Sequence, residues 1–481
     1  MKNKSISKNA FLNIIRVLLS IIFPLITYPY ASRIIGVDNI GKVQFGNSLI
    51  IFISLIAALG INIYATREGA IVRNDRKKFE KLASELFSIN IITTLLAYIL
   101  LFLILFLFKK FNNYRWLIAI QSISIILTSI GVEWVFQVYE DYFYITIRSI
   151  IVHVLAIILL FLFVRNENDY YIYSLITIFS GSGAYLFNIF YVRKYCNLKF
   201  IINKQIIKKH IKNLLILFSN SIAIQIYINS DLLMLGLMTT DYNVGIYGAA
   251  VRIYSIIKTL LNAVITVIIP RLTYLSTNNS KDEYQRIICN VIEFCFLFVL
   301  PCLIGLFILS KEIILVIFGN KFYESILILK VLSFALIFAV FSNLFANAIL
   351  ITNKKEKYVL ISTVIAAAIN VILNLFLIPK YFELGAAMTT LIAEITVMLI
   401  CMYNSRNLIK FVNLFKQIII ATIECISIVV IYSVIINSCN NNVLIIMLTL
   451  IFSVFIYILI LLIFYNKQVI YFLKTKFHLQ K

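Results

Sequence analysis

Acid is in short supply in this chain. Its 481 residues hold 21 Asp and Glu against 43 Lys and Arg, with only three histidines and seven cysteines. The histidines (His153, His210, His478) show no metal-ligand spacing, so no metal site is expected. The cysteines are scattered and form no Cys-x-x-Cys pair. Cys289, Cys295 and Cys302 share one apolar helix, where a free thiol is packing. No Gly-x-x-x-x-Gly-Lys-Ser/Thr loop exists to cradle a nucleotide phosphate, so no cofactor is expected either. Long polar segments are also missing. The loops are short, which excludes a folded extracytoplasmic domain and the enzymes that would need one.

What fills the chain is apolar: 62% of residues are hydrophobic, with a mean hydropathy of +0.97. Runs of roughly 20 apolar residues recur from end to end, each able to cross a ~30 Å hydrocarbon core. In lipid the backbone must satisfy itself, so such spans are helices or a closed barrel. These runs are continuous and lack the ten-residue alternation of a barrel, so helices are expected. The fold class is therefore an all-α polytopic membrane protein with about 14 transmembrane helices. They lie near 11–32, 43–66, 84–108, 116–138, 144–164, 171–192, 213–238, 245–270, 288–309, 325–350, 358–378, 385–403, 416–437 and 442–465. The first follows Lys2, Lys4 and Lys8 but has no small-residue cleavage site, and reads as a retained span.

Counting Arg148 and Lys416 with the loops at which their spans begin, thirty lysines and arginines fall on the side of the N-terminus and nine on the other, which places both ends in the cytoplasm. The basic runs Arg67–Lys81 and Arg193–Lys212 read as loops facing an anionic leaflet, so no nucleic acid is expected as a partner. The second run looks like an amphipathic surface helix.

One polar phrase occurs twice. Asn39-Ile40-Gly41 and Asn243-Val244-Gly245 are 204 residues apart, each between two long apolar runs. They occupy the outside turns after spans one and seven. An offset of six spans keeps the orientation, so spans 1–6 and 7–12 read as parallel repeats. The expected layout is an N-lobe over 1–200, a cytoplasmic linker over 201–212, a C-lobe over 213–405, and two further spans with a tail over 406–481. The six-helix lobes would be related by a pseudo-two-fold axis along the membrane normal. In each phrase the Gly would permit positive φ in a tight turn and the Asn would cap the incoming helix.

"LITYPYASRIIGVDNIGKVQFGNSLIIFISLIAALGINIYATRE" (Leu25–Glu68) resembles the opening of Wzx-type polysaccharide flippases of the MATE-like exporter superfamily. Pro29, Arg33 and Gly36 match that family's end of the first span. Gly131–Ile150, Ile228–Ile253 and Asn347–Glu394 resemble its fourth-to-fifth junction, its seventh-to-eighth junction, and its eleventh and twelfth spans. The resemblance implies a bacterial cytoplasmic-membrane translocase, not an enzyme. Its substrate would be an undecaprenyl-pyrophosphate-linked oligosaccharide, its drive an ion gradient (H+ or Na+) or the membrane potential, and a polysaccharide polymerase a partner.

Charges inside spans cost roughly 2.5–3.5 kcal/mol each on insertion scales, so each asks for a reason. Arg252, Ser255, Thr259, Asn262 and Thr266 recur at spacings 3, 4, 3, 4, which is one polar helical face. Lys258 lies beside it. Asn13, Arg16 and Ser20 share a face of span one. Gln225 and Asn229 lie one turn apart in span seven, Ser122, Ser129, Glu133 and Gln137 lie on one face of span four, and Thr363, Asn370 and Asn374 add further polar positions in span eleven. Such donors suit sugar hydroxyls, and Arg16, Arg252, Lys258 and Lys330 suit a pyrophosphate. Asp231, Glu293, Glu394 and Glu424 are candidates for binding a coupling ion, or for pairing with those cations. Two rival functions remain in view. A multidrug cation exporter of the same fold would prefer an acidic cavity, and a membrane-embedded polysaccharide polymerase or ligase would need larger outside loops.

Overall fold

A computed structural model describes residues 6–201, 203–278, 280–409 and 414–477; in parts of the first helix and at the end of the last, only the backbone is described. Among the described residues the regular structure is entirely helical. The α-helices are α1 (Ile6–Ile35), α2 (Val37–Ala58), α3 (Ile61–Val72), α4 (Arg76–Leu107), α5 (Arg115–Ile130), α6 (Glu133–Val138) and α7 (Tyr142–Phe163). They continue with α8 (Tyr170–Ile178), α9 (Tyr185–Tyr191), α10 (Lys204–Met238), α11 (Asp241–Thr277) and α12 (Lys281–Ile308). The last are α13 (Ser310–Ile317), α14 (Ser325–Asn343), α15 (Glu356–Ser405), α16 (Phe415–Ser438) and α17 (Asn442–Phe477).

Twelve helical stretches among the described residues are long and apolar enough to cross a membrane. Two more complete fourteen. The 30-residue α1 is one. The 50-residue α15 supplies the other, because it is two helices: Phe382 takes φ 49°, ψ −127° just after Pro379.

The chain forms two compact units, Met1–Gly248 and Ala249–Lys481. In the first, α2 is the hub, packed by α4, α5 and α10. The expected fourth span is interrupted: α5 stops at Ile130, and Val132 takes φ 35° before α6 begins. Ser122 and Ser129 therefore do not continue on one helical face into Glu133 and Gln137. In the second unit α14 packs on α15, and α12 is flanked by α14 and α16.

The doubled phrase differs from its expected role. Gly41 and Gly245 do not have positive φ and do not form turns; they lie in the first turns of α2 and α11. The turn before α2 is made by Gly36, at φ 83°. Instead the two phrases meet. A Cβ on Gly41 would stand 1.8 Å from the Asp241 carbonyl oxygen, and one on Gly245 would stand 2.3 Å from that of Val37. Glycine is there so that two backbones can touch. The Asn39 amide donates to the Ile35 and Glu167 carbonyls at 3.3 and 2.9 Å.

Residues 193–212 are not one surface helix. After a short helical turn the chain runs extended along α4 and re-enters a helix at Lys204. The backbone N–H groups of Asn197, Lys199 and Ile201 donate to Glu80, Ser84 and Ser88 at 3.3, 3.1 and 2.8 Å. Just beyond, the buried His210 bridges the Tyr64 hydroxyl and the Glu85 carboxylate, both at 2.9 Å, and pins the start of α10 to α3 and α4.

Candidate functional site

In the first unit the polar centre is an ion network. Glu133, at the first residue of α6, is bracketed by two guanidinium groups. Arg16 of α1 donates to one oxygen at 2.9 Å, and Arg148 of α7 to the other at 2.5 Å. Arg148 also donates to Asn188 and to the Ala184 carbonyl, and lies over the rings of Tyr144 and Tyr185. Its side chain is 5% exposed, and that of Arg16 is 32% exposed. Arg16 is thus engaged with a carboxylate while still reachable from one side. Asn13 and Ser20, expected beside it, have side chains outside the described residues.

Arg148 is the residue that sequence reasoning missed. The charge count takes it with the cytoplasmic basic residues, yet it lies buried inside α7. The available signal was its place in an apolar run starting at Tyr142, where a lone cation predicts a buried acid. Asp231, in α10, is buried and accepts from the Tyr247 hydroxyl at 2.8 Å.

In the second unit the α11 stripe keeps its spacing. Arg252, Ser255, Thr259 and Thr266 are exposed on one face, and Asn262 is half-buried among them. The Thr259 and Thr266 hydroxyls donate to the carbonyls of Ser255 and Asn262 at 2.7 and 3.0 Å, which leaves their oxygens free to accept. Lys258 turns away from the stripe. Its ammonium reaches Glu394 of α15 at 2.5 Å, and Tyr254 donates to the same oxygen at 3.2 Å. Glu394 is 2% exposed, so this pair is buried on its acidic side. Lys330 of α14 stands 5.3 Å from the Phe307 ring centroid. Glu293 is half-buried on α12, and Glu424 is buried on α16.

The polar positions of α15 face inward. The Asn374 amide donates to Asn370 at 3.2 Å and accepts from Thr389 at 2.6 Å, and all three are fully buried. They join the two halves of the broken helix to each other. No group of three or more His, Cys, Asp and Glu placed to hold a metal occurs among the described residues.

A family model described as "Polysaccharide biosynthesis protein" matches residues 6–276, more than half of the chain. The chain belongs to that family. A relative from Escherichia coli K12, named putative O-antigen transporter, is 23% identical over 392 residues, covering 80% of this chain and 93% of the relative. The capsular polysaccharide biosynthesis protein CapF of Staphylococcus aureus is 26% identical over 368 residues, 74% of this chain and 88% of CapF. Among solved structures, the lipid II flippase MurJ in an inward closed conformation superposes with a TM-score of 0.79 at 17% identity, over 96% of this chain and all of MurJ. An inward-facing MATE-family multidrug transporter superposes at 0.62 over 82% of this chain. This polysaccharide biosynthesis protein therefore has the MurJ and MATE fold, as its opening residues imply. It is an integral membrane protein.

Proposed function

We propose that the protein turns an undecaprenyl-pyrophosphate-linked oligosaccharide from the cytoplasmic to the outer leaflet of the bacterial cytoplasmic membrane. It acts as a transporter and not as an enzyme. The observation that carries this reading is membership of a polysaccharide-biosynthesis family in a chain built of membrane helices and short loops. The name of the Escherichia coli relative, matched over nearly its full length, supports it, and so does a fold shared with a lipid II flippase.

In this reading transport proceeds by alternating access, with both termini in the cytoplasm. Arg252 grips the pyrophosphate with two parallel hydrogen bonds, while Ser255, Thr259, Asn262 and Thr266 receive sugar hydroxyls. Arg16, Lys258 and Lys330 are the further cations available to the substrate. Because Arg16 and Lys258 already hold carboxylates, they engage a phosphate only by exchanging partners. A gradient of H+ or Na+, or the membrane potential, drives the cycle. Asp231, Glu293, Glu394 and Glu424 are the carboxylates available to such an ion, and a polymerase receives the product.

Deletion of the gene tests the activity. Lipid-linked repeat units should accumulate on the cytoplasmic side, and mass spectrometry would read their sugars. Arg252→Ala should abolish surface glycan while the protein stays inserted. Arg252→Lys should restore part, since an ammonium lacks the fork. Arg252→Glu should be worst. Normal glycan from the Glu variant would remove Arg252 from the site, and no accumulation in the deletion strain would overturn the function.

A further inference from the structure

The last two membrane helices enclose a buried carboxyl group, that of Glu424. α16 and α17 form an antiparallel hairpin. The Lys416 ammonium meets the Phe464 carbonyl at 3.0 Å, Ile420 clusters with Ile460, and Ile435 with Ile445. These pairs fix which residues stand level. α12 runs beside α16, with Leu297 against Ile420 and Leu309 against Ile435. The buried face of α16 carries Gln417, Ile420, Ala421, Glu424, Ile428 and Ile435.

Glu424 is 1% exposed. Neither carboxyl oxygen has a hydrogen-bond partner among the described residues. The nearest hydroxyl on its own helix, that of Ser427, is spent on the Glu424 backbone carbonyl at 2.7 Å. No cation faces it. From Ile287 to Ile308 α12 has no Lys or Arg; its titratable groups there are Cys289, Glu293, Cys295 and Cys302. From Asn442 to Phe464 α17 offers only Tyr457, α16 adds Lys416, Cys425 and Tyr432, and α13 adds Lys311 and Glu312.

An ionised carboxylate with neither partner nor water is the costliest state such a group can take. Protonation removes that cost and creates a donor. An acceptor is at hand within about one turn: Pro301 has no N–H, so the Leu297 carbonyl of α12 lacks its helical partner. A metal cation fits poorly, because it gathers several oxygens around one centre. Among the described residues only the two oxygens of one carboxyl come together here. The Gln417 side-chain oxygen lies two helical turns away, about 10 Å along the axis.

A row of hydroxyls leads away from Glu424. By the hairpin register Ser453 stands level with Ser427, and Thr449 with Ile431. Both side-chain oxygens are buried and without a partner among the described residues. Beyond them the Tyr432 hydroxyl donates at 3.0 Å to Glu312, whose second oxygen is also unpartnered.

We propose that Glu424 is a proton-binding site. It is occupied as the neutral acid within the membrane, and it is loaded and discharged along Ser453, Thr449 and the Tyr432–Glu312 pair. In loading, a hydronium ion gives its proton to the carboxylate and leaves water; discharge is the reverse. The site's existence stands on this geometry alone. Its use as the driving ion site rests on the transporter reading.

The full-length protein in lipid vesicles tests both. Infrared difference spectra at neutral pH should contain a protonated-carboxyl C=O band that Glu424→Gln lacks. The apolar reagent dicyclohexylcarbodiimide, which attacks protonated carboxyls, should label the peptide carrying Glu424. Gln is neutral and nearly isosteric, so the variant should fold and melt like the parent. Export of surface glycan should fall at least about tenfold in Glu424→Gln, the size of an ordinary coupling free energy. A band unchanged by the substitution would overturn the proton site. A lost band with normal export would overturn its use in transport. Failure of the transporter reading would appear separately, as absence of lipid-linked intermediates in the deletion strain.

Discussion

Gly41 offers the sharpest perturbation, because its neighbours are backbone and cannot rotate away. In Gly41→Ala the new methyl would lie 1.8 Å from the Asp241 carbonyl oxygen, 2.7 Å from its carbon and 3.1 Å from the Gly245 nitrogen. Real Cβ contacts stay beyond 3.0 Å. The start of α11 must therefore retreat from α2 by the difference, at least 1.2 Å. Overpacking of this kind costs typically about 1–3 kcal/mol, or about 5- to 150-fold in an equilibrium. Hydrogen exchange of backbone amides is the assay. Peptides covering 37–48 and 236–248 should open more readily by a factor in that range, with slower peptides elsewhere unchanged. Gly305→Ala is the control: nothing lies within 4 Å of its added Cβ, and Ala favours a helix interior by up to about 1 kcal/mol. If Gly41→Ala exchanged and melted like Gly305→Ala, the close approach of the two phrases would be refuted.

Two further outcomes are expected. Glu133→Ala leaves Arg148 buried without its carboxylate, which should cost about 3–5 kcal/mol and lower the melting temperature. Glu133→Gln should cost less, and an unshifted melting curve for Glu133→Ala would refute the network. Reporter fusions after Asn243 and Lys321 should read outside, and fusions after Lys209 and Lys355 inside; reversal at any two would refute the topology.

Periodicity and length made the helices legible, because lipid allows the backbone few alternatives. The stripe from Arg252 to Thr266 was legible for the same reason, since 3-4-3-4 spacing has one geometric meaning. Partners were not legible. Lys258 and Glu394 are 136 residues apart, and Arg16 and Glu133 are 117 apart. No local pattern ties them together, so cations that looked available turn out to be engaged. The glycines of the doubled phrase show a second limit. A glycine signals that a side chain would be in the way, but not whether the obstacle is its own backbone or that of another helix. Arg148 was missed because, close to the start of its span, it reads as part of the adjoining basic side.

The extended segment from Asn197 to Ile201 has its own consequence. An extended chain advances about 6.6 Å in two residues, and a helix advances about 6.0 Å in four. Alternate amides of the one can therefore meet every fourth side chain of the other, as Glu80, Ser84 and Ser88 do here. The match depends on phase. One inserted residue would turn the donating amides away from α4 and replace them with their neighbours, which point elsewhere. The stretch between the sixth and seventh spans, the longest polar interval in the chain, thus behaves as a ruler. Its length is set by a neighbour, and a tag placed between Asn197 and Ile201 would be read as an error of measurement.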